Sequence, residues 1–231
     1  MKKILAHFLR HKYRLAIFAL LAAASVVCLA LFRVRVAYSD TFRYGFLVWN
    51  LFLAWIPFVI AYMTYSITLQ RKALFAIIPI SAFLWLIFFP NAPYILTDFQ
   101  HLSYETSSAP VWYDVIMLVW FAWTGVLLGA ISLYLMHEIV KREFGRTVGW
   151  VFVFGVSLLS GGGIYIGRFV RWNSWDVFSN PFGFASSIID QAADPSLRSI
   201  GFISLYTLFF IFIYITLYAF AHLLQEQSSQ V

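Results

Sequence analysis

Six long apolar runs constrain this chain more than any other feature of its sequence. A helix rises about 1.5 Å per residue, so a run of roughly 20 apolar residues crosses the hydrocarbon core of a bilayer. Of the 231 residues, 62% are hydrophobic and only 11% are charged, whereas a soluble domain carries about 25% charged residues. The apolar surface must therefore face lipid. We predict an all-α fold, a polytopic membrane helix bundle that forms a single domain over residues 1–231.

Charged residues and prolines mark the ends of the six runs. We predict transmembrane helices at about 15–32, 44–65, 73–89, 111–136, 147–169 and 200–223. Pro57 is expected to kink the second helix, because proline lacks a backbone N–H and clashes with the preceding turn. Pro90 and Pro93 are expected to end the third helix, because a residue before proline avoids the α region. The apolar stretch 182–189 is expected to form a short helix in the membrane interface.

The distribution of Lys and Arg predicts the orientation of the bundle. The N-terminal segment is strongly basic, and the segments on its side of the membrane hold more Lys and Arg than the loops on the other side. Cytoplasmic segments are enriched in these residues, so both termini are predicted to be cytoplasmic. This anchoring also accounts for the formal net charge of +6. No nucleic-acid partner is expected, since the sequence has no basic block and no nucleic-acid-binding motif.

A basic and aromatic cluster lies at the end of the fifth predicted helix. It contains Arg168, Arg171, Trp172, Asn173 and Asp176. If the helix continues, Arg168 and Arg171 share one face, where their guanidinium groups would bind a phosphate or carboxylate. Trp172 would shield that anion, Asn173 would help to bind it, and Asp176 would support the site. The alternative is that the cluster anchors the helix in the membrane interface, a depth that Arg and Trp both favour.

A row of ionisable residues precedes the fourth predicted helix. If Thr97 caps a short helix, spacings of three and seven residues place Asp98, His101 and Glu105 on one face. Asp98 and His101 are then candidate catalytic residues for general acid–base chemistry, with Glu105 in support. The same row is a candidate site for a divalent metal. The alternative is a solvated polar face of an interfacial helix.

Asp114 lies one turn into the fourth predicted helix and is a third candidate catalytic residue. A pairing with Arg168 is one expectation for its carboxylate. The alternative is that the carboxylate stabilises the N-terminus of its own helix. Asn50 and Asn91 are expected to support the site. By the predicted topology, all of these polar groups lie at the outer surface of the membrane.

Glycines four residues apart occur on two of the predicted helices, as Gly125 with Gly129 and Gly163 with Gly167. Small residues at this spacing allow close contact between helices in lipid. We expect them to serve packing within one bundle rather than a dimer interface.

Three sequence segments together resemble a known family. They are FPNAPYILTDFQHL at 89–102, WYD at 112–114 and GRFVRWNSWD at 167–176. The combination is similar to that of an uncharacterised family of bacterial multi-pass integral membrane proteins, which is classified as a domain of unknown function. The resemblance implies a location in the bacterial cytoplasmic membrane, that is, the cell membrane. It implies no substrate and no catalytic residue.

The leading functional hypothesis is an outward-facing polar site that binds or acts on an anionic lipid headgroup or an envelope precursor. Whether the protein is an enzyme stays open here, as does any metal requirement. A small transporter or channel is the second hypothesis, although the middles of the predicted helices lack the ionisable residues that coupled transporters usually carry there. The third is a structural or assembly subunit of a membrane complex.

Overall fold

The computed structural model describes residues 2–70, 77–102 and 109–228, and the side chains described are those of 15–68, 78–102 and 109–223. All regular elements within these ranges are helical, and six helices are long and apolar enough to cross a membrane. These spans are Leu15–Ser39, Gly45–Thr68, Ile78–His101, Val111–Phe144, Arg146–Val170 and Leu197–Leu223. The prediction of an all-α, multi-pass membrane bundle is confirmed.

The helical segments follow one another closely along the chain. They are α1 (Lys2–Ser39), α2 (Gly45–Gln70), α3 (Ile77–Phe88), α4 (Asn91–Tyr94), a 3₁₀ helix (Ile95–His101), α5 (Val111–Phe144), α6 (Arg146–Tyr165), a π-helical turn (Ile166–Val170), α7 (Asp176–Ser179), α8 (Pro181–Ala193) and α9 (Leu197–Ser228). Short connections make neighbouring long helices antiparallel. The predicted interfacial stretch 182–189 lies within α8.

The α5 helix is the centre of the bundle. It contacts α1, α2, α4, α6 and α9, and a larger share of its apolar stretch is buried than of any other span. Two apolar clusters form the core around it. Leu118 and Phe121 belong to one cluster with Leu47, and Leu133 belongs to the other with Phe210.

Helix α3 ends at Phe88, before Pro90, as the sequence predicts. The membrane span nevertheless continues through α4 and the 3₁₀ helix to His101. Pro90 itself has φ −58° and ψ −26°, inside the α region. Only a turn at 89–90 separates α3 from α4. The predicted helix stop before Pro90 is therefore confirmed, but Pro93 lies inside α4, so the prolines break the third span instead of ending it.

Side-chain donors make this break tolerable inside a membrane, where an unpaired backbone carbonyl is costly. The amide Nδ2 of Asn91 donates to the Phe88 carbonyl over 2.9 Å. The Ser174 hydroxyl donates to the Ile87 carbonyl over 3.0 Å. Two carbonyls at the end of α3 are thus satisfied without a continuous helix.

The glycines of α5 face α4. A Cβ added at Gly125 would lie 2.5 Å from the Ala92 carbonyl oxygen, and one added at Gly129 would lie 3.3 Å from the Ala92 Cβ. Both contacts are within the chain. The glycine spacing on α5 therefore serves packing inside the bundle, which is the function that we expected for it.

The fourth predicted helix extends beyond residue 136 to Phe144, and a single residue, Gly145, separates it from α6. Gly145 has φ +91°, a backbone conformation that glycine adopts without a steric cost. The chain reverses there without the longer loop that its charged residues suggest.

We predict that Gly125→Ala lowers the free energy of unfolding by about 1 to 3 kcal/mol, because the new methyl group would overlap the Ala92 carbonyl. Gly155→Ala is the matched control, since a Cβ there meets nothing within 4 Å. It is expected to be neutral, or to stabilise by up to about 1 kcal/mol. Unfolding in detergent micelles, followed by circular dichroism, measures both variants. Equal stability of the two would contradict this packing.

Candidate functional site

The candidate site lies at one end of the bundle, which we call the polar end and define by Arg35, Asn50, Asp98, Asp114 and Arg168. These residues lie near the end of α1, near the start of α2, in the 3₁₀ helix, near the start of α5 and in the π-helical turn after α6. Because neighbouring long helices are antiparallel, these five places meet at the same end. The polar groups form two ion pairs there rather than one.

The first ion pair joins the Asp98 carboxylate to the Arg168 guanidinium. Arg168 Nη2 contacts Asp98 Oδ1, and the two side chains are 8% and 0% exposed, respectively. Asn50 Nδ2 donates to the other carboxylate oxygen, Oδ2, over 2.9 Å. Both oxygens of Asp98 therefore accept hydrogen bonds. A buried charge of this kind is stable only when it is paired and hydrogen-bonded.

The other nitrogens of Arg168 are also engaged. Its Nε donates to the Thr97 hydroxyl over 2.9 Å, and its Nη1 lies 3.1 Å from His101 Nε2. A guanidinium group can only donate, so this nitrogen of His101 is an acceptor and carries no proton. The guanidinium carbon lies 4.2 Å from the centroid of the Tyr94 ring, in the geometry of a cation–π contact. Arg168 is thus bound on its edges and on one face.

The second ion pair joins Asp114 to Arg35. Arg35 Nε lies 2.5 Å from Asp114 Oδ1, and the side chains are 2% and 0% exposed. The Tyr44 hydroxyl donates to Asp114 Oδ2 over 3.2 Å. Burial, together with the Asp114 carboxylate, raises the pKa of Tyr44, so its hydroxyl remains a donor at neutral pH. The suggested pairing of Asp114 with Arg168 is wrong. Helix α1 packs against the start of α5, so Arg35 is the arginine that pairs with Asp114.

The segment between α1 and α2 links the two ion pairs. Arg43 Nη2 donates to the His101 carbonyl over 3.4 Å, which ties this segment to the 3₁₀ helix. The Arg43 guanidinium carbon lies 5.7 Å from the centroid of the Tyr44 ring, and Tyr44 in turn contacts Asp114. The two pairs therefore belong to one polar layer, although each acid has its own arginine.

Arg171 does not share a helix face with Arg168. The helical path ends in the π-helical turn at Val170, and Arg171 adopts the left-handed conformation with φ +67°. Its side chain is exposed, whereas that of Arg168 is nearly buried. The predicted two-arginine clamp required a continuous helix, so it is not formed.

The remaining predicted site residues have local structural contacts. The Asn173 backbone N–H donates to Asp176 Oδ2 over 2.7 Å, which closes the turn before α7. Trp172 Nε1 donates to the Ser187 hydroxyl over 3.0 Å and so holds α8 to this turn. Glu105 lies outside the described residues. Within the part of the chain that the structure describes, no group of three or more His, Cys, Asp or Glu side chains could hold a metal ion.

A cavity of about 600 Å³ adjoins the Asp98–Arg168 pair. This volume is within the range of ligand pockets, about 300 to 1,000 Å³. The cavity is lined by residues from α2, α3, α4, α6, α7, α8 and α9, most of them apolar. Its amide and hydroxyl groups belong to Asn50, Asn91, Tyr94, Asn173 and Ser174. Asn50 and Tyr94 also contact the ion pair, so the pair positions part of the cavity wall.

The three consecutive glycines of α6 have three different surroundings. A Cβ at Gly161 would lie 2.7 Å from Thr207 Oγ1 on α9, and one at Gly163 would lie 2.9 Å from Pro90 Cγ. Those two glycines allow close approach of neighbouring segments. A Cβ at Gly162 would meet nothing within 4 Å, and Gly162 lines the cavity. The missing side chain at this position leaves the space open.

Arg35 was not predicted to be a site residue. In the sequence it contributed only to the distribution of Lys and Arg, as one of the basic residues that follow the first predicted helix. A signal for it exists. Leu21, Cys28 and Arg35 are all buried and lie seven residues apart, a spacing that places them on one helix face. An arginine that continues a buried apolar stripe requires a buried acid as its partner.

A protein-family model matches most of the sequence. The model of the family described as "Protein of unknown function (DUF1361)" matches residues 49–218, which is more than half of the chain. The chain therefore belongs to this family, and the resemblance to a domain of unknown function is confirmed. The match includes Asp98, Asp114 and Arg168 but not Arg35. Neither the curated proteins nor the solved structures give a match.

We predict that Asp98→Leu or Arg168→Met alone lowers the free energy of unfolding by about 3 to 5 kcal/mol, because each leaves a buried charge without its partner. The double variant is expected to recover a large part of that loss. Equilibrium unfolding in mixed micelles gives the coupling energy of the double-mutant cycle. If the double variant loses as much unfolding free energy as the two single variants together, the coupling energy is zero and the two side chains do not stabilise the protein as a pair.

The matched control for this cycle is the pair of Arg142 and Glu143, whose side chains are 39% and 32% exposed. Exposed pairs contribute little to stability, so Glu143→Gln is expected to change the free energy of unfolding by no more than about 0.5 kcal/mol.

Proposed function

We propose that this member of the DUF1361 family binds a membrane lipid or a lipid-linked envelope precursor. The apolar chain of the ligand occupies the cavity, and its polar group lies at the polar end of the bundle. One observation supports this most strongly, namely a cavity with apolar walls that carries amide and hydroxyl groups where it meets the polar end. Pockets of this composition bind an apolar body and orient it through a few polar contacts.

The depth of the cavity fits a lipid chain. Its lining on α6 and the following π-helical turn extends from Leu158 to Gly167, which corresponds to about 14 Å of helix at roughly 1.5 Å per residue. That is about half of the hydrocarbon thickness of a bilayer, roughly 30 Å. The cavity therefore reaches from the polar end toward the middle of the membrane, as an acyl or isoprenoid chain does.

Several residues of the cavity lining are also exposed on the outside of the bundle. Trp49, Phe83 and Leu159 are 52%, 57% and 59% exposed, and all three line the cavity. Large apolar side chains at this depth face lipid in a membrane protein. A ligand would therefore enter sideways from the bilayer, without crossing water.

The ion pairs have a supporting function in this proposal. Arg168 is occupied by Asp98, Thr97 and His101, which removes the main support for an arginine clamp on an anionic headgroup. Asp98 and Arg168 are positioning residues, because they act on the cavity through Asn50 and Tyr94. The exposed Arg171 remains the cation that could contact a charged group outside the cavity.

We further propose that the polar end faces away from the cytoplasm, as the distribution of Lys and Arg indicates. Cys28 is the single cysteine of the chain and is fully buried. It is therefore not expected to react with a maleimide, and a cysteine introduced at the surface can be labelled selectively. A membrane-impermeant maleimide is expected to label Ser179→Cys in intact cells, and to label Thr147→Cys only after permeabilisation. The reverse pattern would invert the proposed orientation.

Gly162→Leu is expected to fill the cavity and to remove the lipid that co-purifies with the protein, since a side chain there has free space. Native mass spectrometry of the protein released from mild detergent measures the bound lipid. Gly155→Leu is the matched control on the same helix, because a Cβ there also meets nothing within 4 Å and Gly155 does not line the cavity. Identical lipid content of the two variants and the parent would refute the proposed site.

A further inference from the structure

We infer that the group recognised by the cavity is an uncharged hydroxyl, so the ligand is a neutral amphiphile with a free hydroxyl, of the diacylglycerol class. This inference rests on the proposed function and specifies its ligand. It departs from the anionic headgroup that the sequence suggested. Two independent observations support it, one on charge and one on hydrogen bonding.

The first observation concerns charge. None of the residues that line the cavity in the described part of the chain is Asp, Glu, Lys, Arg or His. Burying a phosphate without a cationic partner costs far more than burying a hydroxyl. Arg168 contacts the Tyr94 ring and is already neutralised by Asp98, and the exposed Arg171 does not line the cavity. A phosphate drawn into the cavity would have no counter-charge there.

The second observation concerns Asn91. An amide NH₂ group has two hydrogens to donate, and both are used, one toward the Phe88 carbonyl at 2.9 Å and one toward the Ser174 hydroxyl at 2.8 Å. The amide oxygen of Asn91 has no hydrogen-bond partner among the described residues. At the polar lining of the cavity, Asn91 is therefore left with an acceptor and no donor.

The amide nitrogens of Asn50 and Asn173 also donate to neighbours, but each uses only one of its two hydrogens. Asn50 Nδ2 donates to Asp98 over 2.9 Å, and Asn173 Nδ2 points to Asp176 over 3.4 Å. Neither amide oxygen has a partner within the ranges that the structure describes. These orientations are set by their neighbours, because a carboxylate or carbonyl oxygen can only accept. The cavity lining thus has three amide oxygens that can accept from a ligand, and at Asn91 no amide hydrogen remains beside the oxygen.

Only some lipid groups can supply that donor. Esters, ethers and ionised phosphates accept hydrogen bonds but do not donate them, whereas a hydroxyl donates one. An ammonium group also donates, but it would be a buried charge beside the acid Asp98, whose charge Arg168 already neutralises. A hydroxyl satisfies both the charge and the hydrogen-bonding requirement.

Three lipids with identical acyl chains test the inference. Tritiated dioleoylglycerol, its methyl ether and dioleoyl phosphatidate are bound to the full-length protein in detergent micelles and measured by scintillation proximity. Dioleoylglycerol is expected to bind roughly tenfold more tightly than the ether, which accepts but does not donate, since one lost hydrogen bond is worth about that factor. Phosphatidate is expected to bind at least as weakly as the ether.

A variant provides an independent check. Asn173→Leu removes one acceptor, while the backbone N–H that closes the turn on Asp176 is kept, so the protein is expected to fold. Its preference for dioleoylglycerol over the methyl ether is expected to fall severalfold. An unchanged preference in this variant would overturn the assignment of Asn173 as an acceptor for the hydroxyl.

The outcomes separate the inference from the proposed function. If the ether or phosphatidate binds as tightly as dioleoylglycerol, and Gly162→Leu abolishes that binding, the hydroxyl assignment is overturned while lipid binding in the cavity stands. If Gly162→Leu leaves the binding of all three lipids unchanged, or if none of them binds to the parent, the proposed function fails as well.

Discussion

The buried ion pair of Asp98 and Arg168 is the interaction on which the polar end depends. It joins two segments far apart in sequence, the 3₁₀ helix after α4 and the π-helical turn after α6. At this depth neither charge is stable alone, so each fixes the position of the other. Asn50 and Tyr94 contact the pair from the side of the cavity. The charges therefore shape the cavity without lining it.

The cavity itself follows from a broken helix and a glycine run. Pro90 interrupts the third span, and Gly163 lets α6 approach it closely. Gly162, one residue earlier, leaves the neighbouring space empty. The break also frees backbone carbonyls, and the donors of Asn91 and Ser174 are used to satisfy them. The amide oxygen of Asn91, which lines the cavity, remains without a partner among the described residues, so the residue that helps to stabilise the break also bears on the ligand chemistry that we infer.

Much of the fold could be predicted from the sequence, because a membrane span is encoded locally by the length of an apolar run. The partners of buried charges could not be predicted in this way. Asp114 could pair with any arginine at the same end, and helix packing selected Arg35. The helix end before Pro90 was predicted, but the continuation of the span beyond it was not, since it depends on the distant Ser174, which satisfies a carbonyl at the break. The cavity left no pattern in the sequence, because the open space beside Gly162 depends on where other helices lie.

Photo-crosslinking tests the central claim most directly. Purified protein is loaded with a dioleoylglycerol analogue that carries a diazirine near the middle of one acyl chain, irradiated, digested and mapped by mass spectrometry. The account predicts modification concentrated at the apolar lining of the cavity, around Phe83 and Leu158, and its loss in the presence of excess unlabelled dioleoylglycerol. Modification spread evenly over lipid-facing residues such as Val151 and Phe212, without competition, would contradict it.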